Sequence, residues 1–249
     1  MADRYFVEAP IQGDRVLLGG AESHHLLHVM RARPGTEVVL FDGSGVEFLA
    51  RVERTERSQV ELAVLERREI DRELPIVVTL GVSLPKGDRQ KWLVEKAVEL
   101  GLRRLVPLTT ARSVAQPVDN ALERLRRSVV EASKQCARNR LMEIGPPQHW
   151  NQFVLGAGVE SPRWLAHPAR GNSAFGAVLR SSATEEVCLA VGPEGGFTSE
   201  EVAMATAAGW QTVDLGPRIL RVETAAILLL GLVAQRHGAQ PDPGTAASV

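Results

Sequence analysis

The chain carries two different rhythms of apolar and polar residues. Over the first 70 residues, short β-branched or alternating runs recur at 14–18, 36–42, 46–54 and 58–65, the period-two pattern of half-buried strands. Gly19-Gly20, Pro34-Gly35 and Asp42-Gly43-Ser44-Gly45 punctuate them as turns. These signals predict a small β-barrel. Between the first two runs, residues 22–30 space Leu26, Leu27 and Met30 so that they share one helical face, which predicts a helix capping the barrel.

A charged stretch at 66–73 then gives way to a continuous apolar run at 76–82, and strand-like and helix-like patterns begin to alternate. Helices are predicted at 89–100, 120–138, 172–181, 199–208 and 222–237, with strands at 105–108, 164–167, 187–191 and 212–215. Such alternation implies a mostly parallel sheet covered by helices, with ligands at the carboxyl ends of the strands. The expected domains are 1–72 and 73–238, followed by a Pro/Gly/Ala-rich tail at 239–249 that reads as disordered.

Composition narrows the class. A 249-residue chain that is 44% hydrophobic can build a sizeable core. The longest apolar stretch, 225–234, is too short to span a bilayer, and the N-terminus has no run of signal-peptide length. No membrane partner and a cytoplasmic location are therefore expected. Cys136 and Cys188 are far apart, with no CxxC or Cys/His cluster, so neither a disulfide framework nor a zinc site is expected. A net charge of -1 argues against nucleic-acid binding by bulk charge. Local charge differs: from Arg112 to Arg140 there are seven basic and three acidic residues, which reads either as a solvated helix face or as an RNA contact. His24, His25 and His28 lie close together, but no carboxylate or cysteine completes a ligand set, so no metal is expected.

Two segments carry the chemistry. The buried run 187–191 leads into Gly192-Pro193-Glu194-Gly195-Gly196-Phe197, after which Thr198 and Glu201 form a capping-box pattern. Three glycines at a strand's carboxyl end expose backbone amides to a ligand, although the same loop alone also reads as a simple turn. The second segment runs from Asp214 through Leu215-Gly216-Pro217-Arg218-Ile219-Leu220-Arg221 into an apolar helix. It crowds Arg218, Arg221, Glu223 and Thr224 where a plain connection needs only a cap. Neither GxGxxG nor GxxxxGK[ST] is present, which disfavours a dinucleotide or nucleoside-triphosphate enzyme. A non-catalytic RNA-binding module would not need two strand-end loops.

GPEGGF followed some twenty residues later by LGPRILRVETA resembles the SPOUT-class methyltransferases that methylate uridine N3 in bacterial 16S rRNA. Arg4-Tyr5-Phe6-Val7, His24-His25, His28 to Arg31, Lys86 to Arg89, 96–101 and 131–138 follow in that family's order. The resemblance implies an N-terminal PUA-like β-barrel and a C-terminal α/β domain with a deep trefoil knot. It also implies S-adenosylmethionine as cofactor, 16S rRNA or the assembled small ribosomal subunit as partner, and a homodimer with active sites at the subunit interface.

The same resemblance implies that the cofactor lies against Gly192, Glu194, Gly195, Gly196, Leu215, Gly216, Ile219 and Leu220. Leu165, His167 and Pro168 would form a second wall, with Thr224 and Ala225 at the start of the following helix. A Cβ at Gly195 is expected to intrude on the cofactor. Uridine N3 must lose a proton before it can attack, which calls for a base or a stabiliser of the anion. Arg221 is the first candidate, as a permanent cation, ahead of Glu194 and Glu223. Glu223 also reads as a carboxylate favoured near a helix N-terminus, and Glu194 as a turn residue. Arg4, His25, Arg31, Lys86, Arg89 and Arg138 are the expected RNA contacts, each basic side chain also reading as an ordinary surface charge. Trp92 is expected in the core rather than as a stacking platform.

Overall fold

The computed structural model describes residues 3–113, 119–157, 161–168 and 185–238. The chain divides into two compact units, Met1–Glu73 with Val130–Leu141, and Leu74–Val129 with Met142–Val249. The helix expected at 172–181 and the tail at 239–249 lie outside the described residues. Among the described residues no helix is long and apolar enough to cross a membrane.

The first unit is built on a five-stranded sheet ordered β1-β3-β4-β5-β2, from β1 (Arg4–Phe6), β2 (Arg15–Leu18), β3 (Glu37–Phe41), β4 (Glu47–Thr55) and β5 (Val60–Arg68). It is a half-barrel, with β1 and β2 at its two ends. Alternation along the strands buries Val16 and Leu18 of β2, Val60 and Leu62 of β5 and Tyr5 of β1 in one core with Leu26. β1 escapes the alternation argument because three residues give too short a pattern; it pairs parallel to β3, setting Tyr5 against Leu40. The capping helix is shorter than its spacing suggests. α1 (Gly20–His24) passes into a π-helical turn, His25–Val29, with Met30 N–H donating to the His25 carbonyl at 3.0 Å. Arg31 then takes φ 54°, a left-handed conformation uncommon outside glycine.

Residues 130–141 join this unit through charge. The Arg4 guanidinium pairs with Glu47 at 2.7 Å and donates to Asn139 Oδ1, and Arg72 pairs with Glu47 at 3.2 Å and donates to the Ala137 carbonyl at 3.0 Å. Arg138 binds Glu73 through both Nε and Nη2, and Asn139 donates to the Ile70 carbonyl at 3.1 Å. The Arg4 and Glu47 side chains are 7% and 6% exposed, so they are almost out of water. Buried charges of this kind persist only when each has a partner.

The second unit holds a mostly parallel sheet ordered β12-β10-β11-β6-β7-β8, formed by β6 (Val77–Val82), β7 (Arg104–Thr109), β8 (Glu143–Ile144), β10 (Arg163–Ala166), β11 (Glu186–Val191) and β12 (Gln211–Val213). β9 (Gln148–His149) pairs with β7. The helices are α2 (Arg89–Glu99), α3 (Asp119–Cys136, whose last turns count with the first unit), α4 (Trp150–Gly156), α5 (Ser199–Ala207) and α6 (Val222–Gly238). α2 turns Leu93, Val94, Ala97 and Val98 inward, which leaves the neighbouring Trp92 43% exposed; the expectation of a core tryptophan is corrected. α4 was not anticipated, although Trp150, Phe153 and Val154 have i, i+3, i+4 spacing. Those three pack with Phe197, Ala205 and Trp210 in the core beneath the α5 side of the sheet.

The Glu47 network gives a signed pH dependence. Burial alone would raise this carboxyl, but hydrogen bonds and charge from Arg4 and Arg72 outweigh it and hold the group below its ordinary 4.5. The stabilisation is complete above the ordinary value and is lost as pH falls through the lower folded value. Glu47→Gln is expected to cost about 3 kcal/mol at pH 7 by leaving Arg4 buried and unpaired. Urea unfolding of both proteins should show that gap closing below about pH 4; a gap unchanged with pH would contradict the pairing.

Candidate functional site

Because β12, β10 and β11 are neighbours and all parallel, their carboxyl ends fall at one edge of the sheet. A cavity of about 490 Å³ opens there, walled by the segments that follow the three strands. After β10 come His167 and Pro168; after β11, Gly192, Glu194, Gly195 and Gly196; after β12, Leu215, Gly216, Ile219 and Leu220, with Ala225 from the first turns of α6. Leu165 lies in the strand interior, fully buried, and Thr224 is exposed outside the wall. Arg112 also lines the cavity, and sequence reasoning had counted it only as one of a run of charges.

The glycine loop is held from both sides. Thr198 caps α5 by accepting from the Glu201 amide at 3.2 Å, and Glu201 Oε2 accepts from the Thr198 amide at 2.8 Å. The other Glu201 oxygen accepts from the Ala111 amide at 2.8 Å, and the Glu201 carbonyl accepts from Trp150 Nε1 at 3.0 Å. Arg112, next in sequence, donates to the Gly195 carbonyl at 2.6 Å. In the following segment Asp214 Oδ1 accepts from the Gly216 amide at 2.9 Å, an Asx turn that places Gly216 at φ 107°. Gly196 is likewise at φ 67°, and a Cβ at either position would meet nothing within 4 Å. Conformation therefore requires glycine at both, and both present bare backbone to the cavity.

Gly192 and Gly195 are glycines for other reasons. A Cβ on Gly192 would stand 2.9 Å from the ring of Phe197, which is 4% exposed and has its centroid 4.3 Å from that of Trp150. One on Gly195 would meet only the Arg112 side chain, at 3.3 Å. Among the protein's own atoms, the first that a Gly195 side chain meets belongs to Arg112.

The three candidate catalytic residues are placed differently from one another. Glu223 is 6% exposed and Glu194 sits on the loop; Arg89 of α2 reaches both, with Nη1 3.5 Å from Glu223 and Nη2 3.3 Å from Glu194. Arg89, expected to contact RNA, therefore clasps the two carboxylates. Arg221 is exposed and makes no side-chain hydrogen bond or ion pair among the described residues. Burial pushes the His167 imidazole below its ordinary 6.5, only partly opposed by Asp214, so it is neutral at neutral pH.

Of the other expected RNA contacts, Arg4 and Arg138 are buried in the ion pairs of the first unit, and the correction is physical: their guanidinium groups face Glu47 and Glu73 rather than solvent. Arg31 and Lys86 are exposed, and His25 is half-buried with its ring centroid 5.9 Å from that of Tyr5. The His24 and His28 rings meet in a tilted arrangement, centroids 4.6 Å apart and planes at 47°.

The two glycines give separable outcomes. Gly192→Ala should lose about 1–3 kcal/mol, because a core ring cannot yield, whereas Gly195→Ala should unfold within about 0.5 kcal/mol of the parent. Denaturant midpoints measure this; equal losses would contradict the packing described.

Comparison with known proteins agrees with this geometry. Residues 72–234 match the family model of the RNA methyltransferase domain, and residues 18–65 match that of the RNA methyltransferase PUA domain. Ribosomal RNA small subunit methyltransferase E of Synechocystis is 36% identical over 88% of this chain and 72% of its own length. The protein of that name from Bacillus subtilis is 33% identical over 93% of this chain and 95% of its own. A crystal structure of ribosomal RNA small subunit methyltransferase E from Neisseria gonorrhoeae bound to S-adenosyl methionine superposes with TM-score 0.85, at 29% identity, covering 94% of this chain and 98% of that one. The fold, the paired strand-end loops and these matches together place the chain in the RNA methyltransferase family, alongside the ribosomal RNA small subunit methyltransferases E.

Proposed function

We propose that this chain is an S-adenosylmethionine-dependent methyltransferase that methylates N3 of a uridine in the 16S ribosomal RNA of the small ribosomal subunit. The observation that carries the reading is the cavity at the ends of β10, β11 and β12, in a chain related to an enzyme solved with S-adenosyl methionine bound. The residues present fit that cofactor. The volume is in the range of about 300–1,000 Å³ usual for small-molecule sites, and Leu215, Ile219 and Leu220 offer an apolar slot for adenine beside the bare backbone of Gly196 and Gly216.

When bound, the cofactor supplies a methyl group activated by its sulfonium. The chain's own part is to hold the uracil and manage one proton: N3 gives up its hydrogen and takes the methyl in its place. Arg221, exposed and without a partner among the described residues, is suited to stabilise the uracil anion. Glu194 and Glu223 remain the candidate bases, with Arg89 fixing their positions. A neutral His167 adds no positive charge to a cavity that receives a cation.

The same reading assigns residues 1–72 to RNA recognition and 73–238 to catalysis, with Arg31, Lys86 and His25 as RNA contacts. It includes the trefoil knot and the homodimer of the family. Exposed Trp92 on α2 and Leu228 on α6 support a further subunit contact.

Incubation with labelled S-adenosylmethionine and unmodified small ribosomal subunits should deposit label on one uridine, with mass spectrometry placing the methyl on N3. Label on another base, or none, would overturn the reading. Arg221→Ala should lower kcat about 10²–10³-fold while cofactor affinity by calorimetry stays near the parent value. Equal loss of both would make Arg221 a residue that shapes the pocket.

A further inference from the structure

Both sides of the cofactor cavity carry charge. The segment after β12 contributes the apolar Leu215, Ile219 and Leu220 together with Asp214 and Arg218, and the Gly195 side contributes Arg112 and Glu194. Resting on the cofactor reading above, the requirement left over is the amino-acid end of the molecule, which bears a carboxylate and an ammonium group. An adenine slot and bare backbone do nothing for that carboxylate; it needs a cation held in place.

Among the described residues the cavity wall holds three basic side chains: Arg112, Arg218 and His167. Burial keeps His167 neutral, and Arg218 is exposed on the segment after β12, with no hydrogen bond or ion pair among the described residues to orient it. Arg112 differs from both. Its backbone neighbour Ala111 is tied to Glu201 at 2.8 Å, and its turn is closed by Ser113 Oγ accepting from the Thr110 amide at 2.9 Å. Its guanidinium is fixed by one bond to the Gly195 carbonyl, and it makes no ion pair among the described residues. A guanidinium has five N–H donors in a rigid fork, so one bond to the loop leaves the others for a carboxylate.

We infer that Arg112 is a cofactor-recognition residue: it holds the carboxylate of the amino-acid portion of S-adenosylmethionine, using its bond to the Gly195 carbonyl to pre-set the guanidinium. The amino-acid end is thereby read by a side chain, and the nucleoside end by backbone and apolar surface. This explains why an arginine lies across a glycine whose missing Cβ leaves room for it.

The test compares two ligands that share the thioadenosine but differ in the amino-acid group. Calorimetry of S-adenosylhomocysteine and methylthioadenosine is carried out on the parent protein, Arg112→Ala and Arg112→Lys. Arg112→Ala should weaken S-adenosylhomocysteine roughly ten- to a hundredfold, the size of a charge-assisted contact. It should leave methylthioadenosine within about twofold, and Arg112→Lys should recover part of the loss. Equal weakening of both ligands, or of neither, overturns the inference; equal weakening makes Arg112 a support for the loop alone. Methylthioadenosine binding also reports that the variant pocket is folded. Failure of the parent protein to bind either ligand would instead overturn the cofactor reading itself.

Discussion

The site depends on the carboxylate of Glu201. One oxygen closes the cap of its own helix on Thr198, the other takes the Ala111 amide, and its backbone carbonyl takes the indole of Trp150. Two segments far from it in sequence, at Ala111 and Trp150, are thereby fixed to the end of the glycine loop. The side chain is 9% exposed, so these bonds form in a medium where an unmade one is costly. Phe197 packs beneath, against Gly192 and Trp150, and clamps the loop's other end. Between them Gly195 and Gly196 face the cavity, with the Gly195 carbonyl held by Arg112. The loop is rigid where it joins the fold and bare where a ligand comes.

Much of this was legible in the residues. The alternation of apolar runs marked every long strand, and Thr198 with Glu201 announced the cap that the structure contains. The reach of Glu201 to Ala111 was not legible, because a capping box is a local pattern and its spare oxygen takes a partner from 90 positions away. Arg112 was passed over for the same reason: in sequence it stands among other arginines, and only folding brings it against Gly195. β1, β8 and β9, of two or three residues each, showed no periodicity, whereas β12, also of three residues, was marked by the run at 212–215.

Charged residues were the hardest to place. Arg4 and Arg138 carry the formal charge of an RNA contact and occupy buried ion pairs instead. Arginine is suited to both roles, since its fork matches a carboxylate as well as a phosphate, and sequence does not reveal which anion lies nearby. In the first unit the carboxylates are Glu47 and Glu73, and they hold residues 130–141 to the sheet through arginines from both sides of the chain. Arg89 is a third instance, directed to Glu194 and Glu223.

The pairing of β11 with β6 bears on how the protein is made. It sets Val191 beside Val82, more than a hundred positions earlier, and Ser83 donates its amide to the Val191 carbonyl at 3.0 Å. A contact of such long range must meet the entropy of closing a long loop before it is rewarded, and parallel pairings of this kind are intrinsically slow. The glycine loop begins at the next residue, so it cannot take shape until that strand is seated. The cavity at the strand ends is consequently among the last features to assemble, and a nascent chain lacking its final third has two of its three walls still to be made.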